Sequence, residues 1–295
     1  MSEQNRRTAI KNIVAGATGL TASGMLMLTT NAAAGQRESA PLKGNINHSV
    51  CQWCYGSFSV EELCANAKEM GIKAIDLMGP KEWPILKKYG LDSSMCNGAG
   101  MGIEKGWNDP VNHEELIKSY SEMIPIVAKA GYKNLICFSG NRNGKDDETG
   151  LKNCEEGLKK VLALAEKHKV VLVMELLNSK VDHKDYQCDR TWWGAELAKR
   201  LGSGNFKLLY DIYHMQIDEG DVIRNIKTFN QYIGHYHTGG NPGRHEIDET
   251  QELYYPAIMK AIIETGFKGY VAQEFIPSRP DKMASLKQAI QICDV

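Results

Sequence analysis

Four short segments of the chain each close on a side chain able to hold a divalent cation: VVLVME on Glu175, KLLYD on Asp211, YIGHYH on His237 and YVAQE on Glu274. Three carboxylates and one imidazole make a hard, oxygen-rich donor set. Such a set suits Mn2+, Mg2+ or Co2+ and leaves coordination positions for water or substrate, unlike a sulfur-rich structural zinc site. Mn2+ is the first expectation, with Mg2+, Co2+ and Zn2+ as alternatives. The chemistry that follows is proton transfer on a sugar-like hydroxy carbonyl compound. The cation polarises adjacent carbonyl and hydroxyl oxygens, a carboxylate removes the acidified carbon-bound proton, and the enediolate is stabilised by the positive charge. A single acidic residue at a strand end is as readily a helix cap or an ion pair. Four in succession call for a common cause.

The elements that must position these residues are legible as an alternation. Apolar runs at 46–52, 74–78, 92–98, 134–139, 170–175, 207–211, 232–237 and 270–275 are separated by stretches of helical period at 59–70, 81–89, 113–130, 147–168, 190–201, 221–229, 254–265 and 282–293. Gly71, Gly131 and Gly266 follow helical stretches, as left-handed helix stops would, and Ser59 with Glu62 has the spacing of a capping box. Eight strand–helix units predict an α/β fold, a single (β/α)8 TIM barrel spanning 35–295, rather than an open doubly wound sheet. No G-x-G-x-x-G follows the first run. A barrel presents the C-terminal ends of its strands at one mouth and makes consecutive strands neighbours, so the four ligand-type residues are expected to converge.

Composition bounds the alternatives. Lys and Arg number 35 against 36 Asp and Glu, with 42% hydrophobic and 24% charged residues, which excludes disorder, a collagen-like chain and a polytopic membrane protein. A formal charge of −1 gives no reason to hold a polyanion, and an endonuclease on a related barrel would need a basic groove and more metal ligands; no nucleic-acid partner is expected. A small sugar or keto acid is the expected partner, and a homo-oligomer is left open. Of eight cysteines, Cys51 and Cys54 have redox spacing, but Tyr55-Gly56 follows instead of a helix, so a catalytic dithiol is not expected and a disulfide between them is left open. Trp53, between them, is a candidate lining residue of a sugar-binding mouth.

The segments MELLN (174–178), YDIYHMQ (210–216), IGHYHTGGNPGRHE (233–246), QELYY (251–255) and GYVAQEFIP (269–277) resemble the xylose-isomerase-like barrels, and within them the hydroxypyruvate isomerases. The resemblance covers nearly all of 35–295 and implies one divalent metal on Glu175, Asp211, His237 and Glu274, with Glu175 and Glu274 also exchanging protons on opposite faces of an enediol. It further implies that His214 and Arg244 bind substrate. Two positions depart from the pattern: the hydroxypyruvate isomerases commonly carry Gln where His237 stands, as the ketose epimerases do not, and the epimerases' second acidic residue falls at Val181, beside Asp182. A ketose 3-epimerase and a keto-glycoside lyase or hydrolase are therefore the alternatives, followed by a noncatalytic sugar-binding barrel.

Ahead of this domain, Arg6-Arg7 and Lys11 precede a charge-free stretch from Asn12 to Gln36, whose apolar part ends before Ala32-Ala33-Ala34. A basic start, a short apolar run and an A-x-A site resemble a twin-arginine export signal over 1–34. The apolar part is short of the roughly 20 residues that span hydrocarbon, so no stable membrane insertion is expected after processing, and the location is expected to be periplasmic. Removing 1–34 takes the formal charge from −1 to −3. N-terminal sequencing of protein recovered from the periplasm is expected to start near Gly35, and to start at the initiator end when Arg6 and Arg7 are both changed to Lys.

Overall fold

Parallel strands cannot be joined by tight hairpins, so each apolar run must be followed by a crossover, and here the crossovers are helices. The computed structural model describes residues 41–295; the export signal expected at 1–34 lies outside the described residues. Eight strands follow one another as β1 (Asn47–Cys51), β2 (Ala74–Asp76), β3 (Asp92–Ser93), β4 (Asn134–Cys137), β5 (Val171–Glu175), β6 (Phe206–Asp211), β7 (Ile233–Thr238) and β8 (Tyr270–Gln273). The helices between and after them are α1 (Val60–Glu69), α2 (Trp83–Tyr89), α3 (His113–Ala130), α4 (Asp147–His168), α5 (Thr191–Leu201), α6 (Ile212–Asp218), α7 (Val222–Phe229), α8 (Tyr255–Glu264) and α9 (Lys282–Cys293). All ladders are parallel, in the order β3-β2-β1-β8-β7-β6-β5-β4. The ring is closed by Cys96, whose N–H donates to Asn134 O at 2.8 Å and whose carbonyl accepts from Ile136 N at 3.1 Å. This is the expected (β/α)8 TIM barrel.

Side chains alternate in and out along each strand. Outward residues such as Leu172, Met174, Leu208, Tyr210 and Tyr236 join the large core beneath the helices. Inward residues Ile136, Val171, Val173 and Leu209 form with Met95 a small separate apolar cluster inside the ring. One inward step further along β5 and β6 lie Glu175 and Asp211, so the lumen turns from apolar to ionisable toward the C-terminal ends. The capping box holds: Ser59 accepts from Glu62 N, and the Glu62 side chain accepts from Ser59 N at 2.8 Å. Gly71, Gly131 and Gly266 are all left-handed.

One expectation is corrected. The run at 92–98 pairs as a strand only over Asp92–Ser93; beyond it Cys96 makes single parallel bridges, to Met78 on the β2 side and to Leu135 of β4. The segment after 207–211, given no element above, enters α6 at once, and Asp211 itself caps that helix.

Glu246, in the loop after β7, ties that loop to the one after β8. Its carboxylate accepts from Ser278 N at 3.0 Å, Ser278 Oγ at 2.8 Å, Arg279 N at 3.2 Å and Ser285 Oγ at 2.9 Å. Burial works to raise its pKa, but these donors outweigh burial and push it down to about 2. Removing the acceptor leaves several donors unpaired, and Glu246→Ala is expected to lower unfolding free energy at pH 7 by roughly 2–3 kcal/mol. A lowered folded-state value stabilises above the unfolded value and loses that contribution as pH falls. In urea titrations the gap between wild type and variant should therefore be full above about 4.5 and close toward about 2.

Candidate metal centre

Glu175 is the last residue of β5, Asp211 the last of β6, His237 the penultimate residue of β7, and Glu274 follows directly on β8. In the ladders Asp211 is level with His237, and Glu175 with Leu209. One ligand atom from each of the four lies within 4.8 Å of every other, and all four residues are buried. His237 Nδ1 stands 2.6 Å from Glu274 Oε2, 3.4 Å from Glu175 Oε1 and 3.9 Å from Asp211 Oδ2. Among the described residues Nδ1 has no hydrogen-bond partner. A buried polar atom without a partner costs roughly 1–3 kcal/mol. A ring nitrogen aimed among three carboxylate oxygens, on a hard donor set, fits a divalent cation, which would stand there in place of a proton.

The electrostatics follow from crowding. Burial works to raise the pKa of Glu274, but the positive charges of His237 and Arg244 outweigh it and hold the carboxyl well below the usual range. For Asp211 burial prevails over Arg244, and its pKa moves up. Arg244 is the counter-ion within reach: Nη2 donates to Asp211 Oδ2 at 2.9 Å and to Glu274 Oε2, and Nε donates to Glu274 O at 3.2 Å. Its guanidinium lies 5.5 Å from the Trp53 ring centre and 5.1 Å from that of Tyr213, within cation–π range. The loop sets its position: Arg244 has φ +58, a left-handed value uncommon outside glycine, and its carbonyl accepts from Ile276 N at 2.6 Å.

The spacing of Asp211 and His214 has a local cause. Asp211 is the N-cap of α6, and its Oδ1 accepts from His214 N at 3.1 Å, which leaves Oδ2 for the cluster. The Asn178 side-chain oxygen accepts from Val181 N and Asp182 N, so its amide nitrogen faces His214 Nδ1, 2.6 Å away, and donates to it. Burial, with Arg244 adding to it, keeps the pKa of His214 well below normal, so it is a neutral imidazole. Trp53 Nε1 donates to Glu274 Oε1 at 2.7 Å.

All seven residues singled out from the sequence thus meet: Glu175, Asp211, His237, Glu274, His214, Arg244 and Trp53. Over them opens a cavity of about 280 Å³ whose walls include Leu77, Phe138, Leu177 and His183. Sequence reasoning missed Asp76, Asn178 and His183. Asp76 closes β2 in the structure, but the run read from the sequence continues through Leu77 and Met78 and so hides it; Asn178 lies within MELLN; the loop residue His183 carries no sequence signal. Burial works to raise the pKa of Asp76, but His235 and His237 outweigh it and hold it below the ordinary carboxylate range. Cys51 and Cys54 are free, buried thiols whose pKa values are raised by burial.

The pattern of the xylose isomerase-like TIM barrel family matches residues 64–293, and the chain belongs to that family. Among individual proteins it is similar to a putative hydroxypyruvate isomerase of Homo sapiens, 29% identical over 122 residues, 41% of this chain and 44% of that protein. It is similar also to a 2-oxo-tetronate isomerase of Cupriavidus necator, 35% identical over 108 residues, 37% of this chain and 41% of that protein. These two matches span less than half of either relative. A putative hydroxypyruvate isomerase of Mus musculus is matched over more of its length, 27% identical over 258 residues, 81% of this chain and 91% of that protein. Solved structures of similar fold include an AP endonuclease, family 2, from Brucella melitensis, with TM-score 0.73, 21% identity and coverage of 82% of this chain and 96% of that one. Another is a 3-keto-D-glucoside 4-epimerase from E. coli, with TM-score 0.70, 16% identity and coverage of 83% and 98%. At these identities the likeness is one of fold.

A cation held by this donor set should stabilise the native state by mass action, about 2.7 kcal/mol at a hundredfold excess over Kd. Differential scanning calorimetry is expected to show Tm rising with added Mn2+ and falling back on EDTA treatment, and Asp211→Ala should abolish the rise.

Proposed function

We propose that the protein is a divalent-cation-dependent isomerase that shifts a proton between neighbouring carbons of a small hydroxy carbonyl compound, with hydroxypyruvate-isomerase-like chemistry. The observation that carries this reading is the meeting of four donor atoms from four consecutive strand ends within 4.8 Å, two of them on carboxylates that border the cavity. The names of the matched relatives, hydroxypyruvate isomerase and 2-oxo-tetronate isomerase, support it. Bound among these donors, Mn2+ or a similar ion supplies Lewis acidity to adjacent carbonyl and hydroxyl oxygens.

The chain's own residues do the rest. Glu175 and Glu274, on opposite sides of the substrate, divide the proton work: one takes the proton from the hydroxyl-bearing carbon, and the other delivers a proton to the neighbouring carbon. One C–H bond breaks and one forms, the hydroxyl proton passes to the former carbonyl oxygen, and no external oxidant or reductant takes part. Trp53 Nε1 engages one oxygen of Glu274 and so fixes its plane. Arg244 presents donors to substrate oxygens, with the neutral His214 beside it, Nε2 2.7 Å from Arg244 Nη1. Leu77, Ile136 and Phe138 form an apolar wall that limits water around the charged groups.

Export through the twin-arginine route belongs to the same proposal, and it would bring the site to sugars and keto-sugars outside the inner membrane. Ketose epimerisation is the second reading, favoured by His237 in place of Gln. Against it stands Val181, which is 60% exposed on the rim, while the neighbouring Asp182 accepts a 2.6 Å hydrogen bond from Asn178.

Incubation with Mn2+ and a panel of hydroxypyruvate, 2-oxo-tetronate and keto-sugars in D2O is the test. NMR and mass spectrometry should show deuterium entering one substrate at a carbon next to the carbonyl, with an isomer of unchanged formula as product. Glu175→Gln or Glu274→Gln should slow exchange by about 10²–10⁴-fold. No exchange into any compound would overturn the reading, and a product lighter by a leaving group would make the protein a lyase.

A further inference from the structure

Beneath the metal centre the lumen holds a polar chain that the proposed reaction does not use. Asp76, at the end of β2, is fully buried and 161 residues distant in sequence from His237, yet its Oδ1 lies 3.2 Å from His237 Nε2 in a hydrogen bond. Its other oxygen is held in place: Ser94 Oγ donates to Oδ2 at 2.5 Å, and His235 Nε2 stands 2.8 Å from the same atom. Ser94 thus gives its proton to the carboxylate, while the single proton of Ser49 Oγ faces both Ser94 Oγ at 2.5 Å and Ala74 O at 3.0 Å. Oδ2 of Asp76 is occupied by Ser94, with Oδ1 left facing His237.

We propose that Asp76 is a positioning residue that holds the proton of His237 on Nε2, so that Nδ1 is the nitrogen given up to a cation among Glu175, Asp211 and Glu274. The inference rests on the cation-binding reading of that cluster and adds a residue to it. An acceptor-only carboxylate behind an imidazole selects the tautomer, because only the N–H form can face it. On the other side of the ring Nδ1 faces Glu274 Oε2 at 2.6 Å and Glu175 Oε1 at 3.4 Å, so a cation held by those oxygens would stand on Nδ1 in place of a proton and leave Nε2–H to Asp76. The strand register aids this arrangement, since β2, β1, β8 and β7 follow one another around the ring and bring Asp76 under His237 from across two strands.

A second arrangement of the same atoms is distinguishable. Cys51 Sγ, Asp76 and His237 Nε2 also lie within 4.8 Å of one another. A cation among them would take the Nε2 lone pair and displace the proton that Asp76 accepts, so the two roles exclude each other.

The test uses purified protein, Asp76→Asn, and Mn2+ alone. Asparagine keeps the shape of aspartate but can turn its amide N–H toward Nε2, which moves the imidazole proton to Nδ1. Calorimetric titration should give one Mn2+ per wild-type chain and an affinity about 10–100-fold weaker for Asp76→Asn, with circular dichroism and the urea transition showing a folded variant. In 15N-histidine NMR of the protein loaded with diamagnetic Mg2+, the His237 signal, assigned by its loss in His237→Gln, should report a ring protonated on Nε2 alone in wild type. The tautomer measurement needs no variant at Asp76, so it decides the matter even where Asp76→Asn does not fold. Nδ1 protonation in the Mg2+-loaded wild type, a folded Asp76→Asn with undiminished affinity, or two Mn2+ per wild-type chain would each overturn the inference. Absence of any Mn2+ binding by wild type, with Nε2 protonated, would instead overturn the cation dependence of the proposed function.

Discussion

Three carboxylates buried within a few ångströms of one another set the terms for the rest of this molecule. Each charge taken from water costs several kcal/mol unless it is met by opposite charge or by N–H donors. Around this cluster the compensation comes from every side: His237 from the neighbouring strand, Arg244 from the loop after β7, Trp53 from the turn after β1 and the His214 amide from the first turn of α6. The loop carrying Arg244 adopts a left-handed conformation that costs of order 1 kcal/mol for a residue with a side chain, and Glu246 anchors it from below with four accepted bonds. Local strain is tolerated there because the charge cluster and the anchor both favour the same backbone.

The barrel makes this concentration of charge tolerable by dividing labour along each strand. Outward side chains supply the large apolar core under the helices, and the inward rows begin as a compact plug of Ile136, Val171, Val173 and Leu209 before turning ionisable. Because inward positions recur every second residue, Glu175 and Asp211 follow directly on that plug. The same rule places Asp76 and His235 inside the ring, where they meet each other and His237 rather than solvent. Polar groups in the lumen therefore form a column of mutual partners, topped by the cavity.

Much of this was legible in advance. Alternating runs and left-handed glycines indicated eight strand–helix units, and the ligand-type residues stood out because each closes an apolar run. The third strand was over-read, since apolar character continues through Met95 and Cys96 while the backbone keeps only isolated bridges there, from Cys96 to Met78 and to Leu135. Helix α6 went unnoticed because the strand before it runs straight into the helix with no turn residue between: Asp211 serves as strand end, helix cap and cluster member at once.

The sequence by itself determined the order of the elements, the face of each strand that turns inward and the side-chain types available at the strand ends, because hydrophobic period and helix-end chemistry are local. The tertiary structure alone decided which of those side chains meet. Asp76 carries no mark in its three-residue strand that tells it from a surface aspartate; only closure of the ring brings it beneath His237, since contact across a barrel depends on strand order and stagger and not on distance along the chain.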